Sequence, residues 1–315
     1  MSRTLAYKLV DVFTDRPLAG NALAVFPDGR GLDTAMMQAV ARGINLPETS
    51  FVLPPSSPEA TYHIRVFTPT REIVFAGHAF HGTAYVLTSD GLLSLFEPLT
   101  TVWQETRQGV TPLEIEVEAG RPVRVSLALE SPVFGRVFGR PGSPVLSALA
   151  LALGVEPEAM TARGLFPQVV QTGTGAHLVM CFDDLAMLSA ASPDAAALVR
   201  IAGQLEVDGF AAFVAKAMDP RARFHLRYFA PKSAMAEDAA NVGGASAVGA
   251  FLAHRRLVIP DHAGPTRFTI EQGVELHRPG LIEVAVGVDR LDLEAYTIRV
   301  SGKCATVASG QLYLP

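Results

Sequence analysis

Cysteine is nearly absent: Cys181 in LVMCF and Cys304 in GKCAT are the only two, each inside an apolar, strand-like run. Such residues read as small buried hydrophobes in a reducing compartment, and a disulfide or a reactive thiol is disfavoured. Charge is also scarce, at 18% of residues, and Lys and Arg never cluster into a run. With a formal net charge of -5, the basic footprint demanded by a phosphate backbone is missing, which argues against nucleic acid as a partner. Long hydrophobic runs are missing too. The longest, LSALALALGV at 146–155, falls short of the ~20 residues of a membrane span, so no membrane partner is expected. The start, MSRTLAYKLVDVF, alternates apolar and polar residues instead of showing an export signal, and the expectation is a cytoplasmic protein.

What the chain has in quantity is hydrophobic residues, 49% of its 315, enough for a large core. That length exceeds what one core usually fills, so two domains or one large barrel are expected. YKLVDVFT and NALAVF read as strands joined by a turn at DRPLAGN. Asp33 caps a helix marked by Met37, Val40, Ala41 and Ile44, and ETSFVLP and TYHIRVFTP follow as strands. GTAYVL, after FAGHAFH, is small and apolar enough for a buried helix. ESPVFGRVFGRPGSP at 130–144, rich in Pro and Gly and without either period, reads as a domain boundary. Beyond it come a helix near 145–153, a strand HLVMCF, a helix in PDAAALVRIAGQL, strands FAAFVA and FHLRYFAP, and three closing strands.

Two stretches resemble each other. IRVFTP ends with Phe67 and Pro69, LRYFAP with Phe229 and Pro231, and each precedes a Gly- and Ala-rich run, GHAFHGTAYVL or NVGGASAVGAFLA. This suggests an internal duplication. A Gly/Ala-rich helix with almost no polar face survives only when wrapped by sheet. Two such helices imply two similar domains and a cleft bounded by their starts, where unpaired N–H groups would hold a small carboxylate. Near those starts His78, Glu237 or Asp238, and Glu48 are candidates for proton transfer. Each has a plainer reading, as a helix cap, a strand-edge carboxylate or a backbone-bonded imidazole. The pair His78 and His81, with Glu72 nearby, has no third ligand at a recognisable metal spacing, so no metal is expected. QTGTGAH at 171–177 looks like a phosphate cradle, but a tight turn is the better reading.

DVFTDRPLAGNALAVF, NLPETSFV, IRVFTPTREIVFAGHA, LRYFAP with AED behind it, and EQGVELHRPG, in that order, resemble the PhzF-like family, named for a phenazine biosynthesis isomerase. The resemblance implies an α+β fold of two similar halves, each a curled, mostly antiparallel sheet or barrel around a central helix, as in diaminopimelate epimerase, with the active site in the cleft. The first domain is then 1–130 joined by about 288–315, and the second 131–287. The implied function is cofactor-independent proton shuttling on a small carboxylate, with Glu48 taking and returning the proton and His78 and Asp238 orienting and assisting. Gly77, Val242 and Gly243 fall in the implied substrate cradle, and a homodimer is plausible. Neither cysteine falls at a helix start, which disfavours the two-thiol chemistry of related racemases.

The chain also departs from that pattern. Pro47 stands where Ser usually precedes the glutamate, and the usual EDPxTGSA reads EDAANVGGA, so Asn241, Val242 and Gly243 replace Thr, Gly and Ser. Phe80 and His81 replace smaller or aliphatic residues and imply a narrower cleft. A non-catalytic small-molecule binder or interaction module on the same fold is therefore the alternative. Separation of Glu48 and His78 by more than about 8 Å would favour it, since no substrate atom could then engage both.

Overall fold

The computed structural model describes residues 3–139, 142–231, 236–259, 264–288 and 295–314. Arg140 and Pro141 of the expected boundary, and Asp289 at the end of an expected strand, lie outside them. The chain divides into two compact units, Met1–Leu127 with Ser301–Pro315, and Ala128–Val300.

The first unit opens with β1 (Arg3–Val12) and β2 (Asn21–Phe26), paired antiparallel. Helix α1 (Thr34–Ile44) crosses to β3 (Glu48–Leu53), which lies parallel to β2. α1 forms where the pattern predicts: Asp33 accepts from the Met36 amide, Met37, Val40 and Ala41 form its buried face, and Asn45 ends it in left-handed backbone. β4 (Tyr62–Phe67) pairs antiparallel with β3 and with the short β5 (Glu72–Ile73). After α2 (Gly77–Ser89) come β6 (Leu99–Thr106), parallel to β4, then β7 (Gly109–Glu118) and β8 (Arg121–Leu129) in an antiparallel meander. The last strand, Cys304–Leu314, returns antiparallel to β1.

In the second unit β9 (Val133–Val137) forms inside the stretch read as a domain boundary, which showed no strand period. It is held by antiparallel pairing with β10 (Gln168–Thr172), after α3 (Pro144–Leu153), and main-chain bonds of this kind need no side-chain period. β11 (Gly175–Phe182), α4 (Leu185–Ala190), α5 (Ala195–Leu205), β12 (Gly209–Val214) and β13 (Phe224–Phe229) follow. α6 (Val242–His254), β14 (Thr266–Gln272), β15 (Gly280–Val288) and β16 (Tyr296–Gly302) complete the order.

The two units share one pairing sequence. From β1 through β2, β3, β4 and β6 to β7 the pairs run antiparallel, parallel, antiparallel, parallel, antiparallel. From β10 through β11, β12, β13 and β14 to β15 they run the same way. In each, the Gly/Ala-rich helix stands between the fourth and fifth strands of that run. This is the duplication read from IRVFTP and LRYFAP, whose Phe67 and Phe229 end β4 and β13.

Each central helix is buried from its first residue to nearly its last. α2 packs on β1, β2, β3, β7 and the last strand, and α6 on β10, β11, β12, β13 and β15. Small residues permit this approach: a Cβ at Gly82 would come 2.6 Å from Leu23 Cδ2, and one at Gly249 would come 2.7 Å from Val284 Cγ1. Among the described residues no helix is long and apolar enough to cross a membrane.

Candidate active site

In the first unit, β2, β3 and α2 bring three polar residues together. Asn21 opens β2, and Glu48 opens β3 opposite Leu23 in the parallel register. His78 is the second residue of α2, inside its first turn and not ahead of it as expected; the cap position is Ala76, whose methyl group accepts nothing. Glu48 Oε2 lies 3.2 Å from His78 Nδ1, and Asn21 Nδ2 lies 3.5 Å from the same nitrogen. The contact is far inside the distance at which one substrate atom could no longer meet both groups.

Burial first, and then the neighbouring His81, push the His78 pKa down to about 3, against a hydrogen bond with the Ala22 backbone. The ring is neutral at pH 7, so one nitrogen donates and the other accepts. Among the described residues Glu48 Oε2 makes no hydrogen bond in this geometry, so the 3.2 Å approach is a close contact. A neutral imidazole can meet a carboxyl in either state: Nδ1–H donates to a carboxylate, and bare Nδ1 accepts from a carboxylic acid. The other nitrogen, Nε2, is buried and has no hydrogen-bond partner among the described residues.

The neighbours serve structure. His81 is fully buried, with Nδ1 2.7 Å from the Gly77 carbonyl and its ring 5.0 Å from that of Phe13. Phe80 is core as well, 5.1 Å from Phe75, so the bulk that implied a narrower cleft is spent on packing in the unit's interior. Glu72 is engaged by Arg65, two bonds of 2.8 Å each. Among the described residues no group of three or more His, Cys, Asp and Glu is placed to hold a metal.

In the second unit the start of α6 gathers the remaining candidates. Glu237 is held by Arg227 at 2.9 and 2.7 Å, both side chains buried, which makes it a structural partner of β13. Asp238 is buried, and its backbone pairs with Tyr228. Its Oδ2 accepts from Asn241 Nδ2 at 2.7 Å, while Asn241 Oδ1 caps α6 by accepting from the Gly244 amide at 2.8 Å. Gln272 clamps the same segment, donating to the Asp238 carbonyl at 2.7 Å and accepting from the Asn241 amide at 3.1 Å.

Val242 and Gly243, the first two residues of α6, are buried. Gly243 has no space for a side chain: a Cβ would lie 2.7 Å from His177 Cε1 and 2.9 Å from Thr174 Oγ1. His177 is held by Thr174 Oγ1 at Nε2, 2.9 Å, and by the Tyr228 hydroxyl at Nδ1, 2.8 Å. Burial, opposed by Asp208, lowers its pKa to about 4. QTGTGAH is thus the hairpin turn between β10 and β11, with Thr172 paired to Gly175, and its histidine packs on α6.

Residues 10–310 match the family described as phenazine biosynthesis-like protein. The chain belongs to that family. It is 31% identical over 308 residues to the trans-2,3-dihydro-3-hydroxyanthranilate isomerase of Pseudomonas aeruginosa, covering 98% of this chain and 99% of that one. Among solved structures, the Bacillus anthracis phenazine biosynthesis protein of the PhzF family matches with a TM-score of 0.85 at 24% identity, over 98% of this chain and 99% of that one. A hydroxyproline epimerase from Agrobacterium vitis shares the fold, with a TM-score of 0.67 at 14% identity, over 99% of this chain and 93% of that one. The fold of this phenazine biosynthesis-like protein is therefore α+β and epimerase-like.

Sequence reasoning missed Asn21, Gln272 and His177 as parts of these clusters. Asn21 and Gln272 stand within the family's own blocks, NALAVF and EQGVELHRPG, which was the available signal. Nothing in QTGTGAH announces that its histidine covers a helix start in this family member. Neither cysteine enters either cluster: Cys181 is buried near the far end of β11 from His177, its thiol pushed up to about 12 by burial.

Proposed function

We propose that this protein is a cofactor-independent isomerase that moves a proton on a small carboxylate substrate, with Glu48 as the group that takes and returns it. The observation that carries the reading is the 3.2 Å contact between Glu48 Oε2 and a buried His78. Glu48 removes a proton from one carbon, the electron pair of that C–H bond shifts into the adjoining unsaturated system, and the carboxylic acid returns the proton at another carbon. No electrons are gained or lost, so the step calls for no oxidant. His78 steadies Glu48 in both protonation states through Nδ1, and its Nε2 is left for a polar group of the substrate. Asp238, with Gly77, Val242 and Gly243, is assigned to binding on the family resemblance. The family relative in Pseudomonas aeruginosa, named as a trans-2,3-dihydro-3-hydroxyanthranilate isomerase, supports this reaction class and suggests a cyclic, amino-acid-like carboxylate.

The test is NMR in heavy water with dihydro-hydroxyanthranilate and a panel of small cyclic and amino-acid carboxylates. Deuterium entering one compound with the unaltered protein, and not with Glu48→Gln, is the expected result. Compounds that bind without exchanging would sink the isomerase reading and leave a binder on the same fold.

A further inference from the structure

A cavity of about 390 Å³ opens in the second unit at the carboxyl ends of the parallel strands β11 and β12. Phe182 and Val214, paired across those strand ends, line it together with Phe213 and Phe224. The volume lies in the range of ordinary small-molecule sites, roughly 300–1,000 Å³. It is distinct from the cluster at the start of α6. His177 and Gly209 form the opposite end of the same register, ~16 Å away at ~3.3 Å per residue. Leu257, also in the lining, follows the far end of α6 from Asn241.

The rim carries charge of mostly one sign. Arg163, Lys216 and Arg223 face the cavity against a single carboxylate, Asp183, on a chain whose formal net charge is -5. Among the described residues neither Arg163 nor Lys216 forms an ion pair or a side-chain hydrogen bond. The Arg223 guanidinium lies 5.2 Å from the Phe224 ring centroid, a stacking that leaves its in-plane N–H donors free to meet an anion.

Arg163 supplies an independent observation. Its backbone is left-handed, φ 55°, in the short helical turn Ala162–Gly164, a conformation disfavoured for any residue with a Cβ. The turn is tied to the cavity wall by a bridge between Thr161 and Cys181, itself a lining residue. Glycine would relax this backbone, so what arginine adds is its guanidinium at the rim.

We infer that this cavity binds a small organic anion, with a carboxylate or phosphate group held by Arg163, Lys216 and Arg223. An apolar or aromatic body rests against Leu165 and Leu257, the partly exposed large apolar residues of the lining, while Phe213 and Phe224 are themselves buried. The site is separate from the proton-transfer cluster and does not depend on that reading.

The test is fluorescence titration of the full chain with anilinonaphthalene sulfonate, an apolar anion, with benzoate and phenyl phosphate as competitors that distinguish the two head groups. Saturable binding displaced by at least one competitor is expected. The double variant Arg163→Gln/Lys216→Gln, altered only at exposed side chains, weakens it by about tenfold or more, as loss of charge-assisted bonds requires. Glu48→Gln leaves it unchanged. Arg163→Gly raises the melting temperature of the unliganded protein while weakening the probe, a combination that a purely structural arginine would not produce. Absence of saturable binding, binding indifferent to the double variant, or binding lost in Glu48→Gln would each overturn the inference.

Discussion

Asn241 fixes Asp238 and caps a helix with one side chain: Nδ2 donates to Asp238 Oδ2 at 2.7 Å, and Oδ1 accepts from the Gly244 amide at 2.8 Å. Asn241→Ala removes both bonds and strips a donor from a buried carboxylate. The expected cost is about 1–3 kcal/mol, read as a lower denaturant midpoint at constant slope. Asn241→Asp keeps the cap but sets a second carboxylate beside Asp238, so its deficit should be larger at pH 8 than at pH 4.

Glu48 and His78 are expected to separate by their kinetic signatures. Glu48→Gln keeps the contact with a neutral imidazole and should lower solvent exchange by roughly 10² or more with ligand affinity little changed. His78→Ala withdraws support from both states of Glu48 and should slow exchange while the Kd shifts less than the rate. A His78→Ala protein that exchanges at the original rate would remove the histidine from the mechanism.

Gly243 and His177 are expected to behave as a coupled pair. Gly243→Ser drives a Cβ into the His177 ring and the Thr174 hydroxyl, and overpacking of this kind costs about 1–3 kcal/mol. Combined with His177→Ala, the serine loses its clash with the ring and keeps only that with the Thr174 hydroxyl, which His177 no longer holds, and the double-mutant cycle should show a coupling of about 1 kcal/mol or more. Additive losses would mean that the helix start yields instead of the ring.

Stability should peak near pH 6.5. His78 and His177, lowered to about 3 and about 4, bind protons in the unfolded chain before the folded one, so stability falls as pH drops below about 6.5. His225 behaves oppositely. Burial opposes charging its ring, but the hydrogen bonds it donates to Glu271 and Glu275 at 2.8 and 3.1 Å prevail and lift it to about 9. Its contribution is complete below pH 6.5 and is lost as pH rises toward 9. His225→Ala removes a shared donor from Glu271, which keeps the Met218 and Asp219 amides, and from Glu275, which keeps the Ser189 hydroxyl, and should cost about 1–3 kcal/mol at pH 6.5, with the alkaline slope flattened. Chemical denaturation across pH 4–9 would reveal both limbs or refute them.

Most of the secondary structure was legible because it rests on local chemistry. Asp33 ahead of an amphipathic run, Pro17 and Gly20 at a turn, and two Gly/Ala-rich segments after strands ending in Phe67 and Phe229 each carry their own signal. β9 was not legible, since its pairing with β10 is a main-chain matter. Glu48, His78 and Asp238 could be named through family motifs, whereas the residues read without them left Glu237 and Asp238 equal candidates. The arginine on β13 separates the two independently, by engaging Glu237.

By itself the sequence determined the α+β class, the duplication and the list of candidate groups, because periodicity, capping and motif order are written along the chain. The tertiary structure alone decided which groups are spoken for. His81 belongs to the core, Glu237 to Arg227, the space beside Gly243 to His177 and Thr174, and Glu48 to the buried face of His78. The physical reason is that burial and hydrogen-bond partnership come from strands and helices distant in sequence, and parallel register and helix wrapping set those neighbours.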